Sequence, residues 1–210
     1  ALVDAGHGRI QRFPLRLEPA QNRQCKLIVP DKVQEGMVFI PAGEFVFGVE
    51  NGSQGPRGSL FIDDFFIKQY EVSFREYLEF WRSLDPVMRE KYRARKLTQE
   101  RRFVSLWDND GKLSAPYHEN LPVTSISHDA AEAYCRWLSG RTGRICRLPS
   151  AMEWEKAARG PDGWYFVWGN RKSNDAALTL SSAPELLQRY PFGAPPGTFP
   201  RDVSIYGVNY

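Results

Sequence analysis

From Leu121 to Gly160 (LPVTSISHDAAEAYCRWLSGRTGRICRLPSAMEWEKAARG) the apolar positions shift from strand-like to helical spacing. Pro122 to Ile126 reads as a short β-type run. Ser127 is a helix N-cap with Asp129 in the first turn, where the helix dipole favours an anion. Ala130, Ala133, Tyr134, Trp137 and Leu138 then recur at the spacing of one buried face, and Thr142-Gly143 stops the helix. After Pro149, Ser150 and Glu153 have capping-box spacing, so a second helix runs to Arg159. Upstream, Ser73 caps another helix with Glu76 three residues on, and Phe74, Tyr77, Leu78, Trp81 and Leu84 fall on one side. Helices are therefore expected near Ser73–Leu84, Ser127–Gly140 and Ser150–Arg159, with Trp81 and Trp137 packed inward.

The remaining apolar runs read as strands. Met37 to Pro41 and Glu44 to Gly48 are expected to pair around a Pro41-Ala42-Gly43 turn, and Phe61 to Tyr70 forms one further strand. Within the first 32 residues, RIQRFPLRLEP and QCKLIVP alternate apolar and polar positions about PAQNRQ, which predicts a β-hairpin.

The run PVTSIS-x-DA-x-AYC-x-WLS-x-RTG-x-x-x-RLPS-x-x-EWE-x-AARG closely resembles the signature of the formylglycine-generating enzyme (sulfatase-modifying factor) family. EGMVFIPAGEFVFG from Glu35, FFIKQYEVSFREYLEF from Phe65, YFVWGN from Tyr165 and GTFPRDVSIYGV from Gly197 agree in the same order. The resemblance spans Val33 to Tyr210. It implies an α/β (α+β), C-type-lectin-like formylglycine-generating-enzyme fold with low regular secondary structure over residues 33–210, preceded by a β-rich appendage or linker over 1–32. That appendage, set just before EGMVFIPAGEFVFG, resembles the junction in bacterial Ser/Thr protein kinases that end in such a domain.

The resemblance also carries expectations about chemistry. Active members have a reactive cysteine pair beyond a motif like GTFPRDVSIYGV, where thiolates bind copper and activate oxygen. Cys25, Cys135 and Cys146 all precede that motif, so copper is not expected, and the sequence reads as truncated, completed by another fragment, or a shortened relative. Many relatives place a calcium-binding Asn in an Asp-Ala-Asn step; Ala177 stands there, leaving Asn174 and Asp175 as the calcium candidates.

Composition narrows the rest. A hydrophobic content of 42% with 25% charged residues supports a packed core and excludes a disordered chain. The net charge of +3 selects no partner, and no apolar run approaches the ~20 residues of a membrane-spanning helix. The chain begins at Ala1, which suggests a piece of something longer with any membrane segment outside it. Three cysteines without CxxC or CxxH spacing argue against zinc and against a disulfide scaffold; Cys135 and Cys146 are expected as buried thiols, with a bridge between them as the alternative. MREKYRARKLTQERR, from Met88, is a basic surface segment of short helix and loop, interrupted by Glu90 and Glu100. Asp108-x-Asp110-Gly111 lacks the downstream glutamate of a calcium loop and reads as a tight turn. His7, His118 and His128 have no triad or metal-ligand spacing.

The residues of the signature are assigned structural roles: Trp137 as core, and Arg147, Glu153, Trp154 and Glu155 around the turn, the charged ones partly buried and partnered. An acid–base pair is the alternative, but no nucleophile lies nearby in the motif. The function expected is a non-catalytic recognition or scaffold (sensor-type) domain of a larger bacterial protein such as a Ser/Thr kinase. The alternatives are an oxidase converting sulfatase cysteines to formylglycine, with its cysteine pair on another piece, and a ligand-displaying lectin-fold protein. The partner expected is a protein or peptide, or a C-terminal fragment completing the domain, and not a nucleic acid. The sequence leaves localisation open, favouring the cytoplasm, with extracytoplasmic placement the alternative if a membrane segment lies upstream.

Overall fold

The computed structural model describes residues 2–4, 10–14, 30, 33–49, 57–179, 182–190 and 193–210. By backbone contacts the chain forms two compact units. One gathers Ala1–Tyr70, Pro149–Leu186 and Phe199–Tyr210; the other gathers Glu71–Leu148 and Leu187–Thr198.

In the first unit, strands β1 (Leu2–Asp4) and β2 (Ile10–Arg12) pair antiparallel. The expected N-terminal hairpin is thus corrected at its first strand, whose partner lies upstream of it; QCKLIVP falls outside the described residues apart from Pro30. Strands β3 (Met37–Ile40) and β4 (Gly43–Phe47) do not pair with each other, contrary to the sequence reading. Asp63 and Asp64 split the expected Phe61–Tyr70 strand into β5 (Gly58–Ile62) and β6 (Phe65–Lys68). β3 pairs with β6 and β4 with β5, so that Ile40 faces Phe65 and then Gly43 faces Ile62.

Two residues are skipped on each side, and the alignment continues unchanged. The four strands are one long antiparallel hairpin, broken at mid-length by Pro41-Ala42 and Asp63-Asp64. Pro41 has no N–H to offer a ladder, and two adjacent aspartates are poor strand formers, so both chains leave the sheet at the same level.

Against this hairpin the core collects Ile40, Ala157, Tyr206 and Val208, with Val38, Phe65, Ile67, Ile205 and Tyr210 at its margin. Phe39 packs between Phe13 and Phe66, at ring-centroid separations of 6.4 and 5.3 Å. The edge of β4 meets the turn after residue 160, where Val46 N–H donates to Pro161 O at 3.1 Å.

The second unit is built on α1 (Phe74–Arg82), followed by α2 (Pro86–Lys91), the hairpin β7 (Arg95–Leu97)–β8 (Phe103–Ser105) and α3 (His128–Thr142). The caps predicted from sequence are present. Ser73 and Glu76 form a reciprocal box, and Ser127 Oγ accepts from Ala130 N–H. Gly143, at φ 66°, ends α3 in the left-handed conformation that glycine takes without a Cβ penalty.

Tyr77 is central to this core, its ring packed by Phe80, Trp107 and Tyr134 and its hydroxyl donating to Tyr92 O at 2.9 Å. Trp81 is fully buried as expected. Trp137 is only half-buried: it packs on Phe80 and Tyr134 at the margin, and the Arg141 guanidinium covers its ring at 4.8 Å.

Two further expectations change in this unit, and one holds. Pro122 to Ile126 is no strand; it makes one bridge to Ser73 and then turns through Ser125 at φ 60°. The basic segment gives the short helix α2, but a hairpin follows where a loop was expected. Asp108 closes its turn as read, accepting from the backbone N–H groups of Asp110 at 3.0 Å and Lys112 at 2.9 Å; the latter bond most of all holds its carboxyl below the usual range.

Gly163 gives the most local test of the first unit. It sits at φ 63°, and a Cβ there would lie 2.7 Å from Val46 O. Gly163→Ala adds backbone strain to a clash with main chain, and should lower stability by about 2 kcal/mol or more in chemical denaturation. A change under about 0.5 kcal/mol would show that the turn and β4 are not held together as described.

Candidate functional site

Helix α4 (Ala151–Arg159) carries the signature residues EWEKAARG in the first unit. Ser150 caps it reciprocally: Glu153 N–H donates to Ser150 Oγ at 3.2 Å, and Ser150 N–H donates to Glu153 Oε2 at 2.7 Å. Glu153 is therefore spent on the helix start, as its spacing predicted. Helical periodicity then sends Glu153, Lys156 and Ala157 to one buried face.

Glu155 and Arg159 lie one turn apart and form a largely buried ion pair. Glu155 also accepts from Gly48 N–H at 2.8 Å. Arg159 donates to Gly48 O at 3.1 Å, to Gly163 O at 3.0 Å and to Trp164 O. One guanidinium thus joins the end of β4 to the turn that follows α4, using the fork geometry that suits arginine to several acceptors.

Lys156 is the residue that sequence reasoning missed. It is 2% exposed, and Nζ donates to Pro41 O at 2.7 Å, Ile62 O at 3.0 Å and Gly43 O at 3.1 Å. Pro41 lies in the break of the long hairpin, and Gly43 and Ile62 are the ladder pair that borders it. An ammonium has three donors, and all three are used here. Burial pushes its pKa down to about 8, against the opposing pull of Asp64 and Asp63. The signal was available in the sequence, since a lysine three residues after Glu153 and next to Ala157 falls on the inward stripe.

The other candidates are dispersed. Arg147, expected to be partly buried, is exposed and donates to the adjacent Leu148 O at 3.1 Å, because α4 starts after it and its length reaches solvent. Trp154 is 51% exposed on the outer side of α4, edge-on to Tyr210 at 5.2 Å between centroids. Cys135 and Cys146 are free thiols, half-buried where fuller burial was expected; burial, and then Cys146, raise the Cys135 pKa. Ser139 Oγ joins their main chains, 2.9 Å from Cys135 O and 3.1 Å from Cys146 O. Cys25 and His7 lie outside the described residues, and His118 and His128 are exposed.

Asn174 and Asp175, the calcium candidates, are exposed. Asp175 accepts from the Ser173 hydroxyl and lies 3.7 Å from Arg201; the Ser173 bond chiefly holds its carboxyl below the ordinary range. Asn174 O accepts from Ala183 N–H at 3.3 Å. Among the described residues no three His, Cys, Asp or Glu side chains converge as a metal site would require.

The family model for the sulfatase-modifying factor enzyme 1-like domain matches residues 24–209. The chain belongs to that family. Among family relatives, the inactive C-alpha-formylglycine-generating enzyme 2 of Mus musculus is 28% identical over 163 residues, covering 64% of this chain and 51% of that protein. The serine/threonine-protein kinase Pkn1 of Chlamydia trachomatis is 25% identical over 185 residues, covering 84% of this chain and 29% of the kinase. Formylglycine-generating enzymes match as well. The chain spans about half or less of the length of these relatives. PvdO from Pseudomonas aeruginosa shares the fold, with a TM-score of 0.60 at 22% identity over 82% of this chain and 65% of that structure. The fold is accordingly the formylglycine-generating-enzyme fold, an α+β arrangement of short sheets and helices.

Chemically, the family signature in this chain is a polar clamp. The charged groups of α4 are engaged by the backbone or by the helix cap. Lys156→Met keeps the aliphatic stem but leaves three carbonyls without their donor, so unfolding measurements should show a loss of about 3 kcal/mol or more near neutral pH. The lowered pKa adds a pH signature. Between about 8 and 10.5 the unfolded chain holds more protons on Lys156 than the folded one, so the native state gains stability from this group as pH rises through that window. The gap between the native protein and Lys156→Met should widen by about 2–3 kcal/mol from pH 8 to 10.5. A gap independent of pH would mean that the carbonyls keep the ammonium at its solution affinity.

Proposed function

We propose that this chain is a non-catalytic recognition or scaffold domain of a larger bacterial protein, of the kind joined to a Ser/Thr kinase. The observation that carries the reading is the fate of the α4 polar groups. Glu153, Glu155, Lys156 and Arg159 are each spent on a cap or a backbone carbonyl or amide, whereas Trp154 is offered to solvent beside Tyr210. A half-exposed aromatic pair on a rigid support suits contact with a polypeptide, since rings bring area at low entropic cost. A family that includes a protein named inactive and a kinase supports the same reading.

The second reading is oxidation of a substrate cysteine to formylglycine, and it rests on the family's enzymes. It requires a thiolate pair to seat copper, which a further polypeptide segment would have to contribute. Cys135 sits in α3, its thiol pKa raised by burial, which disfavours the thiolate that would bind metal.

One assay on this chain alone can overturn the recognition reading. The reduced chain, given one equivalent of cuprous ion, dissolved oxygen as oxidant and a Cys-x-Pro-x-Arg peptide, should leave the cysteine unoxidised and bind copper no more tightly than scattered single thiols do. Aldehyde on the peptide, seen by mass spectrometry together with stoichiometric copper, would overturn the recognition reading and make Cys135 and Cys146 the pair to mutate.

A further inference from the structure

The basic segment has no part in the α4 clamp, and its charge is concentrated. Residues 89–102 carry seven Lys or Arg and two Glu, net +5, although the whole chain is only +3. The structure gathers part of this charge around a cleft of about 560 Å³ in the second unit, lined by Lys91, Arg93, Arg95, Phe103, Ser125 and Ser127.

We propose that this cleft binds a phosphorylated side chain of an extended peptide, with an apolar neighbour of that residue lying on Phe103. The proposal rests on the recognition reading above and supplies it with a ligand class.

The cleft has a defined frame. Arg95 N–H donates to Ser125 O at 3.1 Å, which fastens β7 to the segment leading into α3. Ser125, at φ 60°, turns the chain so that Ser125 and Ser127 both line the cleft. Ser127 caps α3, so the positive end of that helix lies at the same place.

The cations differ in how free they are. Arg93 is structural: it donates to Trp107 O at 3.1 Å and Asn109 Oδ1 at 3.0 Å, and it stacks on Trp81. Lys91 is exposed. Arg95 pairs with Glu90, which also lies 3.2 Å from Arg93. Both side chains of the Arg95–Glu90 pair are exposed, so that pair is weak and solvent-screened.

That balance decides the class of anion. A ligand carboxylate would exchange one carboxylate for another and gain little. A phosphate monoester brings a charge of about −1.5 to −2 and three acceptor oxygens, enough to engage Lys91, Arg95 and the serine hydroxyls together. The apolar part follows from β7–β8 register: Leu97 faces Phe103 across the ladder, and Phe103 is 73% exposed. Opposed residues of an antiparallel pair share a face, so an exposed Leu–Phe pair lies on the cleft side of the hairpin.

The test uses fluorescence anisotropy of a labelled heptapeptide with phosphoserine between two leucines, alongside its serine and glutamate counterparts. The phosphopeptide should bind at least about tenfold tighter than either counterpart, and Lys91→Glu with Arg95→Glu should abolish that preference. Glu90→Gln should tighten binding severalfold, a gain that misfolding cannot imitate. Phe103→Ala should weaken it, and Arg136→Glu, on the exposed part of α3, should leave it unchanged. Equal binding of all three peptides, no effect of Glu90→Gln, or displacement by inorganic phosphate as efficient as by unlabelled phosphopeptide would overturn the proposal. Aldehyde formation in the copper assay would instead remove the recognition reading itself, whatever the phosphopeptide does.

Discussion

A long antiparallel hairpin that leaves its ladder in the middle creates a debt of unpaired carbonyls, and in this protein one buried ammonium answers it. Lys156 reaches from α4 to Pro41 O, Gly43 O and Ile62 O. Burying a cation is unfavourable, and leaving several carbonyls without donors is unfavourable too; placed together, each relieves the other. A neutral donor of similar size would supply fewer hydrogen bonds. The arrangement explains why a lysine occupies the buried face of α4 beside Ala157, and why Asp63 and Asp64, at the break itself, bear on its charge.

The remaining polar residues of α4 extend the same logic outward. Glu155 and Arg159 hold Gly48 and the turn at Gly163 and Trp164, so a single helix of nine residues secures a sheet with little ladder of its own. Short sheets need such support, since two-stranded ribbons are marginal by themselves. A family signature rich in charged residues invites a catalytic interpretation. Here the charges of α4 are engaged by backbone partners, and the proposed recognition role rests on what is left over, Trp154 of α4 beside Tyr210.

What the sequence made legible was local. The caps at Ser73, Ser127 and Ser150 and the glycine stop at Gly143 depend on residues within a turn of each other, and all are present. The aromatic face of α1 was legible for the same reason, because helical period alone sorts Phe74, Tyr77, Leu78 and Trp81 inward. Strand partners were not. Met37–Ile40 and Gly43–Phe47 look like a hairpin across a Pro-Ala-Gly turn, but their true partners lie beyond residue 57, and nothing local encodes that distance. Trp137 was read from periodicity as core; it falls at the margin of the cluster, where the side chain of Arg141 covers it. Lys156 was passed over because a charged residue on an inward stripe is usually discounted, and its acceptors lie some 94 to 115 residues upstream, beyond the reach of any local pattern.

Amide hydrogen exchange on Lys156→Met reports on the clamp most directly. The account predicts that the N–H groups of β4 and β5, Val46 among them, and that of Gly48 just beyond β4 lose protection in this variant while α4 still forms, since its Ser150–Glu153 cap is untouched. Protection across β4 and β5 equal to that of the native protein would contradict it, because the break in the hairpin would then be held by something other than the lysine.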